Sequence, residues 1–210
     1  DSILAQTFTN FEFIIIDDGS SDGSEAVIKQ YATADPRIVY VRHPQNSGLP
    51  AVRTDEGILL ARAPYVAFIF DDNLWYPDAL ESMVTALEHA DVELVYGHVL
   101  MPRANADPVS YGITPPTLEI LQNANTIPNG VVAVRRSFFD KVGLYDPHLV
   151  LRRICDWDLW LRAAKLNIPM GSIDRVLGVE QGIVSPSSLG NTVKLDFKVS
   201  LAYMSDDRTL

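Results

Sequence analysis

Residues 65–77 read Tyr-Val-Ala-Phe-Ile-Phe-Asp-Asp-Asn-Leu-Trp-Tyr-Pro, an apolar run of strand length that ends on two adjacent acids, Asp71 and Asp72. A second apolar run, at residues 11–16, ends in the same way on the acids of residues 17–18. Strands buried on both faces are continuously apolar, and the carboxyl ends of parallel strands are where open α/β sheets bind ligands. The two stretches therefore predict a site at one sheet edge for something phosphorylated and metal-bound.

Strands and helices alternate along most of the chain. Apolar runs predict further strands, including residues 38–41 and 92–99, and helices are predicted to begin at Pro50 and Pro77. This alternation predicts an α/β fold with a mostly parallel, Rossmann-like central sheet and helices on both faces. Residues 101–117 contain four prolines and little periodicity, so a long loop is predicted there. Two short late strands are predicted near residues 170–173 and 176–179.

The composition is that of an ordinary globular protein, with 210 residues, 47% hydrophobic and 21% charged, and a formal net charge of −10. A surface this negative repels phosphate backbones, which argues against nucleic-acid binding and disfavours anionic membrane surfaces. Cys155 is the one cysteine, so no disulfide can form within the chain. No apolar run approaches the roughly 20 residues of a membrane span. We expect a cytoplasmic protein with no membrane span in this chain, and peripheral membrane association stays open.

The pair Asp71 and Asp72 suits a divalent cation. Mg²⁺ and Mn²⁺ prefer hard oxygen ligands, usually one or two carboxylates together with substrate phosphates and water. Two ionised acids about 4 Å apart repel by roughly 4 kcal/mol at an effective dielectric of 20, and a bound cation removes that repulsion. A solvated turn, or an N-cap for the helix that begins at Pro77, explains the same residues without a ligand, and on the residues alone these alternatives stay open.

Residues 155–162, Cys-Asp-Trp-Asp-Leu-Trp-Leu-Arg, form a third acidic motif at the predicted start of a helix. Asp156 is a candidate general base that takes a proton from an attacking hydroxyl, and a helix N-cap is the equally weighted alternative. Asp158 and Arg162 are four residues apart and are predicted to pair on the helix surface. Trp157 is of a type that packs in the core more often than against a substrate.

Four motifs occur in order and at suitable spacings: QTFTNFEFIIIDDGSSDGS from residue 6, NSGLPAVRTDEGILLARAPYVAFIFDDNLWYPDALE from residue 46, NGVVAVRRSFFDKVGLYDPHL from residue 129, and CDWDLWLR from residue 155. Together they resemble a family 2 glycosyltransferase of the GT-A fold, of the inverting type. The resemblance covers nearly the whole chain and is weakest over residues 101–126 and after residue 180. Any one of the motifs alone would be a weak signal.

The resemblance implies a nucleoside diphosphate sugar as donor, of the UDP, GDP or dTDP type. Asp18 would contact the nucleotide base, with Gly19 and Arg53 also in the nucleotide site. Asp71 would face the ribose, and Asp72 would bind the metal, Mn²⁺ or Mg²⁺, on the diphosphate. The product of such an enzyme is typically a polysaccharide, and the acceptor is a saccharide, a lipid-linked sugar or a protein.

On the acceptor side, the resemblance makes Asp156 the base that deprotonates the acceptor hydroxyl. It places Asn129, Gly130 and Trp157 in the region of the acceptor or the donor sugar. It also implies a division of the chain, with residues 1–100 as the donor-binding half of the catalytic domain, 101–187 as its acceptor-side half, and 188–210 as a C-terminal helical tail.

The family begins with a strand that lies in the middle of the sheet and forms one wall of the nucleotide pocket, and that strand is missing from this sequence. Residues 1–8 lack an initiator Met and are predicted to be the end of a helix, which is typical of a fragment. If the natural protein starts at Asp1, we expect weak folding and poor donor binding.

Further departures from the family pattern keep two functions open. Phe70 stands where many relatives have an acid, Cys155 replaces a common Glu, no His follows Val179, and Arg53 has an unusual spacing to Gly57. The leading interpretation is an inverting, metal-assisted, hexosyltransferase-like enzyme. The alternative is a truncated or degenerate, non-catalytic nucleotide-sugar-binding domain. A receiver domain is disfavoured because no Lys lies at a late strand end, and a nucleotidyltransferase would share the fold and the metal but differ in product.

Overall fold

The computed structural model describes residues 1–103, 105–181 and 196–205. Short 3-10 helices cover Asn129–Val131 and Leu149–Leu151. The strands and α-helices are, in chain order, β1 Phe13–Asp17, α1 Ser24–Ala34, β2 Ile38–Arg42, α2 Pro50–Leu60, β3 Tyr65–Phe68, β4 Asn73–Trp75, α3 Ala79–His89, β5 Leu94–Arg103, β6 Ala106–Tyr111, α4 Leu118–Leu121, β7 Val132–Arg135, α5 Phe138–Val142, α6 Cys155–Lys165, β8 Met170–Glu180 and α7 Phe197–Ser205.

These strands form two sheets. In one, β1 and β2 pair in parallel, and in the other the order is β3-β7-β5-β8-β4, with β6 paired to β5. Only β5 and β8 run parallel in the larger sheet, and its other pairs are antiparallel. The predicted α/β class is confirmed, but the expected mostly parallel sheet is corrected to a mixed one. A strand buried on both faces is continuously apolar in either direction, so its sequence does not report its direction.

A cavity of about 1110 Å³ separates the two sheets. Every residue of 65–70, in β3 and just beyond it, lines this cavity, as do residues of β1 on the opposite side. Successive side chains of a strand point to opposite faces of the sheet. Because consecutive residues of β3 all line the cavity, the cavity lies along the hydrogen-bonding edge of this strand and not over one of its faces.

The long loop predicted for residues 101–117 is wrong over its first part, which forms a hairpin. Strand β5 continues to Arg103, and β6 returns antiparallel to it. The pairing shifts register between Met101 and Arg103, around Pro102, and both Pro102 and Pro108 are exposed. Proline is tolerated at bulges and on edge strands because its missing N–H then faces no partner strand, so proline content alone does not exclude a hairpin.

Two smaller expectations are also corrected. The two late strands are one, β8, whose pairing with β5 shifts register on both sides of His98. Residues 2–5 form a turn rather than the end of a helix. Helix α7 lies within residues 188–210, where a helical tail is expected, and residues 188–195 and 206–210 of that segment lie outside the described ranges. Across those ranges, no helix has the length and apolar character to cross a bilayer.

Candidate functional site

The chain turns sharply after β3, and this turn carries Asp71 and Asp72. The backbone N–H of Asn73 donates to the carbonyl of Phe70 across the turn, at 3.0 Å. On the far side, the N–H of Gln181 donates to the carbonyl of Asp72, at 2.8 Å. Because both of its sides are hydrogen-bonded, the backbone of this turn is held beside the end of β8.

Glu180, the last residue of β8, brings a third acid to this turn. It lies opposite Asn73 in the pairing of β4 with β8. Burial raises the pKa of Glu180, and the charges of Asp72 and Asp156 raise it further. Burial also raises the pKa of Asp72, with a smaller contribution from Asp71. Glu180 is not among the residues predicted from the sequence, because its place beside the two acids depends on the pairing of β4 with β8.

The turn that carries Asp71 and Asp72, the acid turn, suits a metal ion that binds together with a phosphate-bearing ligand. In the described part of the chain, neither Asp71 nor Asp72 forms an ion pair, and no group of three His, Cys, Asp or Glu side chains has the geometry of a metal site. Mg²⁺ and Mn²⁺ need only one or two carboxylates when phosphates and water complete the shell. The helix-cap alternative is wrong, since α3 begins at Ala79 with Asp78 at the N-cap position.

Asp18 lies directly after β1 and holds a loop of the chain in place. Its carboxylate accepts hydrogen bonds from the Ser47 N–H at 2.9 Å, the Ser47 hydroxyl at 2.8 Å and Arg53 Nε at 2.6 Å. Burial acts to raise the pKa of Asp18, but these donors outweigh it and the pKa is lowered. Gly19 has a φ of +80°, and an added Cβ would lie 2.7 Å from the backbone N of Asn46. Gly19 therefore allows the loop to approach β1 closely.

Asp156 lies in the first turn of α6, where it is half-buried. The N-cap position is Ile154, so the alternative of Asp156 as an N-cap is wrong. Its Oδ2 accepts a hydrogen bond from Asn125 Nδ2 at 2.8 Å. Burial raises the pKa of Asp156, and this hydrogen bond opposes the rise. The neighbouring Cys155 is buried, as expected of a small packed side chain.

The turn at Asn129 and Gly130 packs against the acid turn. Asn129 Oδ1 accepts a hydrogen bond from the Tyr145 hydroxyl at 3.1 Å, and the Gly130 carbonyl accepts one from Trp75 Nε1 at 2.6 Å. An added Cβ on Gly130 would lie 2.0 Å from Asn73 Oδ1. The structure thus places this predicted region directly beside the strand that follows the two acids.

Trp157 is in a different environment. It is 6% exposed and belongs to the hydrophobic core, where its Nε1 donates to the Leu121 carbonyl at 2.6 Å. Trp157 therefore packs in the core, and its place in the acceptor or sugar region stays a prediction.

The predicted residues form two groups. Asp18 and Arg53 line the cavity between the sheets, and Phe70, which precedes the acid turn, also lines it. Asp72 and Asp156 do not line that cavity, and each interacts electrostatically with Glu180. The cavity thus reaches the start of the acid turn, and the acids form a second group beyond it.

Gly130→Ala is expected to destabilise the fold by about 1–3 kcal/mol, because the new methyl group has no room beside buried Asn73. Asn73 Oδ1 also accepts from the Phe70 N–H, at 3.4 Å, so its displacement disturbs the acid turn. Urea unfolding measures the change. Gly57→Ala is the matched control: its Cβ would lie 3.8 Å from Ile16, and within helix α2 it is expected to stabilise by roughly 0.5–1 kcal/mol. Equal stability of the two variants would contradict the prediction.

Comparison with known proteins places these features in context. Residues 1–143 match the model of the family described as glycosyl transferase family 2. The chain is 34% identical over 171 residues to WcaA of Escherichia coli strain K12, a glycosyl transferase assigned to colanic acid biosynthesis; the match covers 77% of this chain and 58% of WcaA. The chain thus spans less than two thirds of that relative.

Solved structures confirm the fold. S. aureus TarS 1–349 in complex with UDP-GlcNAc superposes with a TM-score of 0.77 at 15% identity, covering 97% of this chain and 59% of that one. The mannosyltransferase PcManGT from Pyrobaculum calidifontis, in complex with GDP-Man and Mn²⁺, gives a TM-score of 0.63 at 17% identity, covering 88% and 52%. These likenesses establish the GT-A fold predicted from the sequence.

Proposed function

The chain belongs to glycosyl transferase family 2, and from that premise we propose that it transfers a sugar from a nucleoside diphosphate sugar to an acceptor hydroxyl, with inversion and with help from a divalent metal. The observation that carries the proposal lies at the end of β8: the Gln181 N–H donates to the Asp72 carbonyl, and the charges of Asp72 and Asp156, which are distant in sequence, both raise the pKa of Glu180. This shared neighbour supports a metal-binding acid and a general base at one site.

The donor is bound by the first half of the chain in this proposal, residues 1–100. Asp18, which Ser47 and Arg53 hold in place, would contact the nucleotide base, and Asp71 would face the ribose. Asp72 would hold Mn²⁺ or Mg²⁺ on the diphosphate, where the metal would neutralise the charge that develops on the leaving group. The UDP-GlcNAc and GDP-Man bound to the two superposed structures support a nucleotide sugar as donor.

The acceptor is activated by the second half, residues 101–187. Asp156 takes the proton of the acceptor hydroxyl as its oxygen attacks the anomeric carbon, and the bond from that carbon to the diphosphate breaks on the opposite face. Attack from the face opposite the leaving group inverts the anomeric centre. Asn129 and Gly130, beside the acid turn, are assigned to the sugar region. A saccharide, a lipid-linked sugar or a protein can supply the hydroxyl.

One observation favours a second candidate, a non-catalytic nucleotide-sugar-binding domain. Buried Cys155 stands beside Asp156 where the resemblance gives a Glu, so one carboxylate of the late acidic pair is missing. Loss of that acid leaves the donor-binding residues of the first half of the chain in place.

Titration of the chain with UDP-, GDP- and dTDP-sugars in the presence of Mn²⁺ tests both candidates. Calorimetry measures binding, release of the nucleoside diphosphate measures turnover, and NMR of the product gives its anomeric configuration. We expect binding that is lost on chelation of the metal, and release of the diphosphate with an inverted product. Binding without release in the presence of saccharide acceptors supports the non-catalytic candidate. Absence of binding to every donor would contradict both.

A further inference from the structure

Asn125, in the segment between α4 and the turn at Asn129, is fixed by hydrogen bonds on every side. Its Nδ2 donates to Asp156 Oδ2 at 2.8 Å, and its Oδ1 accepts from the Ile127 N–H at 3.2 Å. Its backbone carbonyl accepts from the Tyr111 hydroxyl at 2.6 Å. Because the Ile127 N–H requires an acceptor, the side-chain amide is oriented with its NH₂ group towards Asp156.

The Asn125 amide engages one of the two carboxylate oxygens of Asp156, Oδ2. The backbone N–H of Trp157 also favours the ionised carboxylate. A hydrogen bond donated to a carboxylate favours its ionised form, whereas burial favours the protonated form. A general base must be ionised before it can act, so the Asn125 amide favours the competent state and fixes the direction in which Asp156 points.

Burial opposes that ionised state. The charge of Asp156 in turn raises the pKa of titratable groups on several elements, namely Glu180 on β8, Tyr111 on β6, and Tyr145 and Cys155 before and at the start of α6. Asp55 on α2 interacts with Tyr145 and Cys155 in the same region. Among the described side chains, Asn125 is the one whose hydrogen bond to the Asp156 carboxylate is observed.

We propose that Asn125 is the positioning residue of the base Asp156, holding one carboxylate oxygen so that the other faces the acceptor hydroxyl. The proposal rests on the proposed transferase function. Asn125 lies in the part of the chain where the family resemblance is weakest, and no motif singled it out.

Asn125→Asp tests the proposal with a side chain of the same shape. The new carboxylate can still accept from the Ile127 N–H, but it offers Asp156 a negative charge in place of a donor. We expect kcat to fall about tenfold or more, and the acid limb of the kcat–pH profile to move up by about one pH unit or more, since like charges raise a carboxyl pKa. KM for the donor should stay near the wild-type value.

Asn123→Asp is the matched control. It adds the same charge two residues away, on an exposed side chain whose amide bonds only the Glu119 carbonyl. We expect it to leave kcat and the pH limb unchanged. Side-chain ¹³C NMR of Asp156 gives a second measurement that does not need turnover: its titration midpoint should rise in Asn125→Asp and stay in place in Asn123→Asp.

The outcomes separate the two proposals. The first outcome is that the wild-type chain releases the diphosphate, but Asn125→Asp shifts neither the acid limb of the kcat–pH profile nor the NMR titration midpoint of Asp156. That outcome overturns the role of Asn125 and leaves the transferase proposal intact. The same holds if kcat falls only in step with the folded fraction measured by circular dichroism. A wild-type chain that turns over no donor overturns the transferase proposal, and the role of Asn125 falls with it, whatever the NMR midpoint does.

Discussion

Asp156→Asn is expected to lower kcat about 10²–10⁴-fold while leaving the affinity for the nucleotide sugar near its wild-type value. The amide is of the same size and can turn its oxygen towards Asn125 Nδ2, so the 2.8 Å hydrogen bond that fixes this side chain is retained. What is lost is the ability to accept a proton from the acceptor. Donor-binding residues lie on other elements, so their contacts are untouched.

The role of Asp156 as the base also predicts how activity depends on pH. A base works only when ionised, so wild-type activity falls as the pH falls through the pKa of Asp156. Burial raises that pKa, which moves the loss of activity to a higher pH than an ordinary Asp would give. In Asp156→Asn, the residual activity should show no such limb, because the amide does not titrate.

Measurement of kcat and of donor affinity in the same preparation distinguishes loss of chemistry from loss of folding. Asp91→Asn, which makes the same change on an exposed residue after α3, is the control and is expected to match the wild type. If the kcat of Asp156→Asn equalled those of Asp91→Asn and the wild type, Asp156 would not be the base. The acid turn and its metal would then have to be assigned a different partner.

The two strands that end on acids were predictable because an apolar run followed at once by acids, as at Asp18 and at Asp71–Asp72, marks a strand and the polar turn after it. β1 and most of β3 are nevertheless half-buried rather than buried on both faces, because they line the cavity between the sheets. The start of α6 was predicted for a similar reason, since its apolar residues recur with a helical period. Each of these signals lies within about ten residues of chain.

The features that were missed depend on residues far apart in sequence. Glu180 gains its place only through the pairing of β4 with β8, and Asn125 only through its contact with α6. Strand direction in the mixed sheet is likewise set by tertiary pairing, which an apolar run does not encode. Trp157 packs in the core, as its residue type indicated, and its place in the sugar region stays a prediction.

The sequence also predicts a pair between Asp158 and Arg162, but not whether that pair is buried or exposed. Their spacing of four residues correctly predicts a pair, with Arg162 Nε donating to Asp158 Oδ2 at 2.9 Å, but the pair lies inside the protein rather than on the helix surface. The side chain of Asp158 is fully buried and that of Arg162 is 10% exposed. The guanidinium also donates to the carbonyls of Val142 at 2.6 Å and Leu144 at 2.7 Å. Arg162 therefore joins α6 to the end of α5.

Arg162→Leu is expected to destabilise the fold by about 3–5 kcal/mol, the usual effect of removing one partner of a buried ion pair. The leucine fills much of the space but donates to none of the three oxygens that the guanidinium bonds. Lys29→Leu is the matched control, because Lys29 and Glu25 have the same spacing and a 2.7 Å contact on an exposed helix surface. Its expected effect is about 0.5 kcal/mol or less.

Arg162→Lys separates the charge from the shape of the guanidinium. An ammonium keeps the positive charge near Asp158 but lacks the planar guanidinium that reaches two carbonyls and a carboxylate at once. The decrease in the free energy of unfolding of Arg162→Lys should therefore lie between those of Arg162→Leu and Lys29→Leu. Urea unfolding of the variants provides all these free energies. Losses for Arg162→Leu and Lys29→Leu that agree within about 1 kcal/mol would show that the buried pair and its carbonyl contacts do not stabilise the junction of α5 and α6, since a surface pair contributes no more than that.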